Sequence, residues 1–374
     1  MNESITEYIK EYLEEKISSN DYSYFISHKK MKEYTLVDRP CVDFKSCDIT
    51  DYLKFTDKYN EVIEKFYKRF KEVFSEEYLS LFNHNIKTLN IIDYKLKLFD
   101  KARFSIFNQA NGSYDAYTNE VELMKKTKDD NEFKRIINHE LLHLSSSVDL
   151  AFSGFSQEII TKNGTALIGN GLNEGYTEFL NKTYFSDTDD YSYHDQVQFA
   201  SMIDDIVGRD FMIDCYFKKG LSPLIKQLGK KIGNNGKAID LILSMDYVLG
   251  KVNYAFNKAK YIDVRFQLAN FYIKELEDRY NSGEIDYDMY SKMRYLNVDR
   301  FIRGDDYYSE NTVIEDTGKF INIVDGNKIK RVNKKDNNIS FKLEEESGVI
   351  KMWLYFCDFI MYNYNRGELY EDYW

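Results

Sequence analysis

Apolar side chains recur at three- and four-residue steps along several stretches of this chain, the period of helices that bury one face. The clearest stretch is 50–82, where Tyr52, Phe55, Tyr59, Ile63, Phe66, Phe70, Val73 and Phe74 form one stripe. Residues 4–18 read as a helix too, and 34–48, which lack a period and contain Pro40, read as an irregular connection. The pattern then changes. Ile91 to Leu98 and Phe104 to Phe107 suit strands, Asn111-Gly112 is a turn signal, and Glu120-Val121-Glu122-Leu123 alternates as a half-exposed strand does. A charged loop over 125–130 leads to Asp129 and Glu132, spaced like a capping box, so a helix is expected from about Asp130.

Four glycines, Gly154, Gly164, Gly169 and Gly171, mark a looping or hairpin excursion before a further helix near Leu172. Helical periods return across 195–207, 210–232, 236–260 and 262–281. Alternation around Asp325-Gly326 within 312–343 predicts a late β-hairpin or small three-stranded sheet. The sum is an α+β chain, mainly α, with no internal repeat.

Composition narrows the class. At 374 residues the chain exceeds one simple core, so two or three packed regions are expected. Its 32 Tyr and 26 Phe supply large buried areas, and only Pro40 and Pro223 interrupt the helices. A net charge of -11 argues against a nucleic-acid partner, which needs clustered cations. The basic run Lys328 to Lys335 reads as a solvated hairpin face. Cys41, Cys47, Cys215 and Cys357 have no C-x-x-C spacing and read as scattered reduced thiols. The start of the chain lacks the apolar stretch of a secretory signal. The most apolar segment, Val349 to Tyr362, carries Lys351 and Asp358 and is shorter than the roughly 20 residues a membrane span requires, so it reads as a buried helix. A cytoplasmic chain without a membrane span is expected, although export without a cleavable signal would leave the same pattern.

The chemistry concentrates in two segments. His139-Glu140-Leu141-Leu142-His143 is H-E-x-x-H, with two imidazoles one helical turn apart on one face. Phe133, Ile137, Leu141, Leu144 and Val148 form a separate apolar stripe, which turns His139, Glu140 and His143 away from the deepest packing. Alone, the match has two readings, a zinc pair or ordinary surface histidines. Downstream, Gly171-Leu172-Asn173-Glu174-Gly175-Tyr176-Thr177-Glu178 sets two carboxylates at i and i+4, opposite the apolar Leu172, Tyr176, Phe179, Leu180 and Tyr184. Without the histidines, that pair would be an exposed acidic helix face.

Together, the H-E-L-L-H and N-E-G-Y-T-E segments resemble the gluzincin metallopeptidases, the thermolysin-like and aminopeptidase-like zinc enzymes. The resemblance covers roughly residues 110–215. It implies a zincin-like catalytic core with a small sheet and an active-site helix, placed over 91–232; it does not reach the helical region 1–90 or most of 233–374, which the residue pattern reads as a helical region with a small β element. It implies Zn²⁺ held by His139, His143 and Glu174, with Glu140 as general base and Glu178 supporting a histidine ligand. Such enzymes place a substrate-pairing edge strand before the H-E-x-x-H helix, a role for which Tyr117 to Met124 is positioned. They often add a Tyr or His that stabilises the oxyanion. In the cluster Tyr191-Ser192-Tyr193-His194 the choice is Tyr193, against the reading of a surface aromatic cluster.

The expected activity is hydrolysis of a peptide or protein substrate, by endo- or aminopeptidase action. Two other classes stay open: a catalytically silent, zinc-stabilised peptide-binding module on the same fold, against which intact Glu140 counts, and a helical interaction protein with a chance motif. His28 and His84 have no partner motif and read as ordinary histidines.

Overall fold

A computed structural model describes residues 26–27, 48–94, 112–124, 130–149, 152–161, 164–186, 192–250, 258–294, 313–316, 320–325 and 328–333. The expected helices over 4–18 and 349–362, the connection around Pro40, the strand over 104–107, Asp129 of the capping box, His28, Cys41, Cys47 and Cys357 lie outside these residues. The fold is mainly helical with small sheets. The chain divides into two compact units, Met1–Glu275 and Leu276–Trp374.

The first unit includes strand β1 (Ile26–Ser27) and a 3-10 turn, Ile49–Tyr52, whose Thr50 N–H is capped by the Asp48 carboxylate. Helix α1 (Asp57–Val73) follows. The expected stripe is its buried face: Ile63, Phe66 and Phe70 are at most 1% exposed. The helical stretch breaks at Phe74-Ser75, where the backbone becomes extended, and resumes as a short 3-10 turn and α2 (Leu79–Asn85). Phenylalanines dominate here because flat rings interlock. Phe66 stacks on Phe185 at 4.6 Å between centroids, while Phe70 meets Phe217 edge-on at 5.2 Å.

Strands β2 (Asn90–Tyr94), β3 (Gly112–Asp115) and β4 (Glu120–Met124) make a sheet of order β2-β4-β3, with β2 parallel and β3 antiparallel to β4. In β4 the predicted alternation holds: Val121 and Leu123 are buried and Glu122 is exposed. Gly112 belongs to β3, and Asn111, the other residue of the expected turn, lies outside the described residues. The turn between β3 and β4 lies at 116–119. Asn119 takes a left-handed conformation (φ 55°) that asparagine tolerates, and Asp115 Oδ1 accepts the Tyr117 N–H at 2.8 Å.

Helix α3 (Asp130–Ser146) starts where expected and packs against α1, α2 and β3. Next come β5 (Ser147–Asp149), β6 (Phe152–Ser153), β7 (Ser156–Thr161) and β8 (Gly164–Ile168), so the glycine-marked excursion is a set of hairpins. They form an antiparallel sheet of order β1-β8-β7-β6-β5.

Helix α4 (Asn170–Tyr184) is held by α3, by α5 (His194–Val207) and, beyond α6 (Arg209–Asp214) and α7 (Leu221–Ile232), by α8 (Asn235–Gly250). The predicted helix over 210–232 is interrupted: a π turn, Cys215–Lys219, and Gly220 at φ 74° separate α6 from α7. Pro223 then sits in the first turn of α7, where the missing N–H costs nothing. Helix α9 (Lys258–Asn281) spans the division between the units.

The second unit contains α10 (Tyr287–Met293) and the three-stranded antiparallel sheet β9 (Val313–Asp316), β10 (Phe320–Asp325) and β11 (Lys328–Asn333), with β10 central. This is the late sheet anticipated around Asp325-Gly326. No helix among the described residues is long and apolar enough to cross a membrane.

Candidate metal centre

Helices α3 and α4 bring the two motif segments face to face. Position of α4 is set by close backbone contacts. A Cβ on Gly175 would lie 2.2 Å from the Gln196 carbonyl oxygen of α5, so only glycine lets the helices approach here. From α8, the buried Asp246 carboxylate accepts the N–H groups of Gly169 at 2.6 Å and Gly171 at 2.7 Å, capping α4 in place of a side chain of its own. Burial raises the Asp246 pKa to about 7 against the lowering pull of these amides. Glu174 therefore sits on a helix fixed at its start and on its flank.

The three expected ligands converge. His139 Nε2 lies 3.1 Å from His143 Nε2 and 3.3 Å from Glu174 Oε2, and His143 Nε2 lies 3.4 Å from the same oxygen. A tetrahedral zinc with ligands at about 2.0–2.1 Å would separate neighbouring donors by about 3.3–3.4 Å. The triangle thus has the edge length of such a site. The donor set fits in charge as well. Three carboxylates, Glu140, Glu174 and Glu178, face one guanidinium, Arg135, in a buried setting that a divalent cation would bring to neutrality.

The surroundings set the tautomer of each histidine. His139 Nδ1–H donates to Glu178 Oε2 at 2.6 Å, which makes Nε2 the nitrogen aimed at the triangle, where a metal would displace its proton. Glu178, 1% exposed, is itself gripped by Arg135 at 2.6 Å, the Ser192 N–H at 2.8 Å and Asn181 Nδ2 at 3.2 Å. Around His143 Nδ1 lie Thr177 Oγ1 at 3.5 Å and Asn173 Nδ2 at 3.4 Å. With Nε2 free, only the Thr177 oxygen can accept the Nδ1 proton. Thr177 donates its own proton to the Asn173 carbonyl at 2.7 Å, and the Tyr216 hydroxyl, 2.6 Å away, closes the chain.

Electrostatics follow from burial and these partners. Burial opposes charge on His139, but the carboxylates of Glu174 and Glu178 outweigh it and raise the pKa well above the usual value. Burial likewise pushes Glu174 and Glu178 upward, and their histidine partners reverse it. Glu174 ends well below the usual carboxylate range and Glu178 at about 2. Glu140, facing the same histidines at lesser effect, is raised by burial. The centre thus holds negative charge on two acids and favours a cation between the ligand atoms, while Glu140 is the most basic of the three carboxylates.

Two expectations need correction. The helix face bearing His139, Glu140 and His143 does not turn away from the packing. These residues are only 6%, 5% and 6% exposed, because α4 and β3 cover the face left over from the apolar stripe. Nor is Tyr117 to Met124 an edge strand, since β4 runs between β2 and β3 and Tyr117 stands at the turn, 75% exposed. Among the described residues β2 and β3 are the edges of that sheet, and β3 is the one that lies against α3. It also touches the site: a Cβ on Gly112 would lie 2.5 Å from Ile136 Cγ2 and 3.0 Å from Glu140 Oε1.

Tyr193 joins the centre. Its ring stacks on His139 at 5.8 Å between centroids, and its hydroxyl bonds Glu174. The Glu174 charge first, then burial, keeps that hydroxyl protonated. Tyr193 adopts a left-handed conformation (φ 55°), tolerated where the adjacent Ser192 amide is tied to Glu178. His84 is exposed and outside the centre. Arg135, Asn181, Thr177, Tyr216 and Asp246 escaped the sequence reading. Arg135, Thr177 and Asn181 carried a signal, lying four residues before His139, three after Glu174 and three after Glu178 on the same helix faces.

The chain matches no protein-family model, no curated protein and no solved structure. Function is therefore argued from the centre itself. Replacing Glu178 with alanine would free the His139 ring and strand Arg135, so any metal held by the triangle is expected to bind roughly 10- to 100-fold more weakly, with zinc as the ion to try. Competition with a calibrated chelator measures this, and an unchanged affinity would make Glu178 only a partner for Arg135.

Proposed function

We propose that this chain is a zinc-dependent peptidase of gluzincin type on a zincin-like core, with His139, His143 and Glu174 holding the metal and Glu140 as general base. The observation that carries this reading is the donor triangle, with edges of 3.1, 3.3 and 3.4 Å, beside a carboxylate that belongs to the motif but not to the triangle. When bound, zinc supplies Lewis-acid polarisation of a carbonyl and acidifies water to a pKa of about 7.

The remaining steps belong to the chain. An extended peptide pairs its backbone with the edge of β3 that is open among the described residues, where β3 passes over Glu140 at Gly112. Glu140, made more basic by burial, takes the proton of the attacking water and returns it to the departing amine. Tyr193, kept protonated, donates its hydroxyl to the oxygen on which charge develops, once that hydroxyl turns from Glu174. Glu178 and Thr177 hold the two imidazoles in the tautomers that leave both Nε2 atoms as ligands.

The test of the metal is elemental analysis of the chain loaded with zinc and then dialysed. The expected result is about one zinc per chain, as a single three-ligand site requires. Zinc retained at well below one per chain, or bound equally by a His139→Ala/His143→Ala variant, would overturn the assignment.

A further inference from the structure

The donor triangle is most open at Glu174. The His139 and His143 side chains are 7% and 8% exposed and that of Glu174 is 19% exposed, so an ion coming from solvent passes Glu174 first. Tyr193 stands at this point, itself part-exposed. Its ring lies close to parallel with the His139 imidazole, 24° between planes and 5.8 Å between centroids, and its hydroxyl donates to the Glu174 carboxylate. One side chain thus spans two of the three ligands.

The backbone beneath that side chain is pinned from both sides. The Ser192 N–H donates to Glu178 Oε1 at 2.8 Å, Arg135 Nη1 donates to Ser192 Oγ at 3.1 Å, and the Tyr193 carbonyl accepts the Val197 N–H at 2.8 Å as α5 begins. Between these ties Tyr193 holds a left-handed conformation, φ 55° and ψ 43°, which a tyrosine keeps only where its surroundings impose it. What the ties fix is the direction in which the side chain leaves the backbone, toward the ligands. Movement is left to the side-chain torsions, which turn faster than loops or domains shift. The hydroxyl and an incoming cation also compete for one carboxylate. A hydrogen bond to a charged acceptor is stronger than one between neutral groups, so the resting arrangement favours closure.

We propose that the Tyr193 side chain is a gate over the donor triangle, which has to turn away from Glu174 before a metal ion can enter, so that this turn sets the rate of metal uptake. The inference rests on the metal reading above and not on peptide hydrolysis. The same turn frees the hydroxyl for a substrate oxygen, so one rotation serves both uptake of the ion and the donor role. A gate and an ordinary contact differ in kinetics. A contact that helps to hold a bound ion slows its release and leaves its entry alone. A gate leaves only a fraction of chains open at any moment, and entry slows by that fraction.

The test is stopped-flow mixing of the metal-free full chain with zinc and a zinc-sensitive dye, on wild type, Tyr193→Phe and Tyr193→Ala, with zinc per chain measured on the same preparations. Tyr193→Phe keeps the ring on His139 and removes only the bond to Glu174, so the variant should fold, as circular dichroism can verify. The expected result is zinc entry faster by roughly tenfold or more in Tyr193→Phe, as loss of a bond to a charged group implies, and faster again in Tyr193→Ala. Zinc should be held no more weakly by Tyr193→Phe than by wild type. Equal entry rates in wild type and Tyr193→Phe, or an unchanged entry rate with faster release, would overturn the gate and leave Tyr193 as a contact of Glu174. In both of those cases zinc bound by wild type keeps the metal reading standing. No zinc bound by wild type would bring down the metal reading itself, and the gate with it.

Discussion

Glu140→Gln is expected to keep zinc at wild-type occupancy while peptide hydrolysis falls by roughly 10²- to 10⁴-fold, the usual contribution of a positioned general base. The substitution is nearly isosteric at a residue only 5% exposed, so packing against β3 at Gly112 is preserved. It removes no ligand, because the donor triangle is completed by Glu174. What disappears is the basic oxygen that burial makes more willing to take a proton. Initial rates on a responsive peptide, together with zinc analysis of the same preparations, measure both halves. Equal rates in wild type and variant would remove Glu140 from the mechanism.

Glu174→Ala should have the opposite signature, losing the metal and with it the activity. Its Oε2 lies 3.3 and 3.4 Å from the two histidine nitrogens, and without it two imidazoles remain as ligands. The loss should exceed the roughly 10- to 100-fold expected when a supporting residue such as Glu178 is removed. The side chain is only 19% exposed and pairs with His139, His143 and the Tyr193 hydroxyl, so circular dichroism should first verify that the zinc-free variant is folded. The zinc remaining after dialysis against a chelator of known affinity reports the effect. Occupancy equal to wild type would show that another group completes the site.

Helical periodicity explains why the centre could be read from the chain alone. His139 and His143, and Glu174 and Glu178, are each one turn apart, and an i to i+4 spacing fixes a shared face before any tertiary contact is known. The structure keeps both faces and turns them together. Pairing across elements was not legible. Arg135 finds Glu178 43 residues away, and Asp246 caps Gly169 from 77 residues away, with nothing in either local pattern to announce the partner.

The β elements were legible in kind and misread in detail. Alternation in Glu120 to Leu123 marks β4, but alternation reports only which face is buried and not which strands lie on either side, so the central position of β4 between β2 and β3 has no local signal. Gly112 serves close approach to Ile136, a contact equally silent in the local pattern. The burial of His139, Glu140 and His143 was missed for a related reason: an apolar stripe identifies one packed face, and cannot reveal that a second, polar face is covered by α4 and β3. The lone strand β1, paired with β8 across some 140 residues of register (Ile26 with Ala166), leaves no periodic signal at all.

The central claim is that a zinc held by His139, His143 and Glu174 makes this chain cut peptides. Incubating the zinc-loaded chain with a broad peptide library, before and after chelation and again after zinc is restored, tests that claim most directly. The account predicts cleavage at defined bonds that stops on chelation and returns with zinc. Zinc bound at one per chain with no bond cut anywhere in the library would contradict it, and would favour a silent peptide-binding module on the same metal centre.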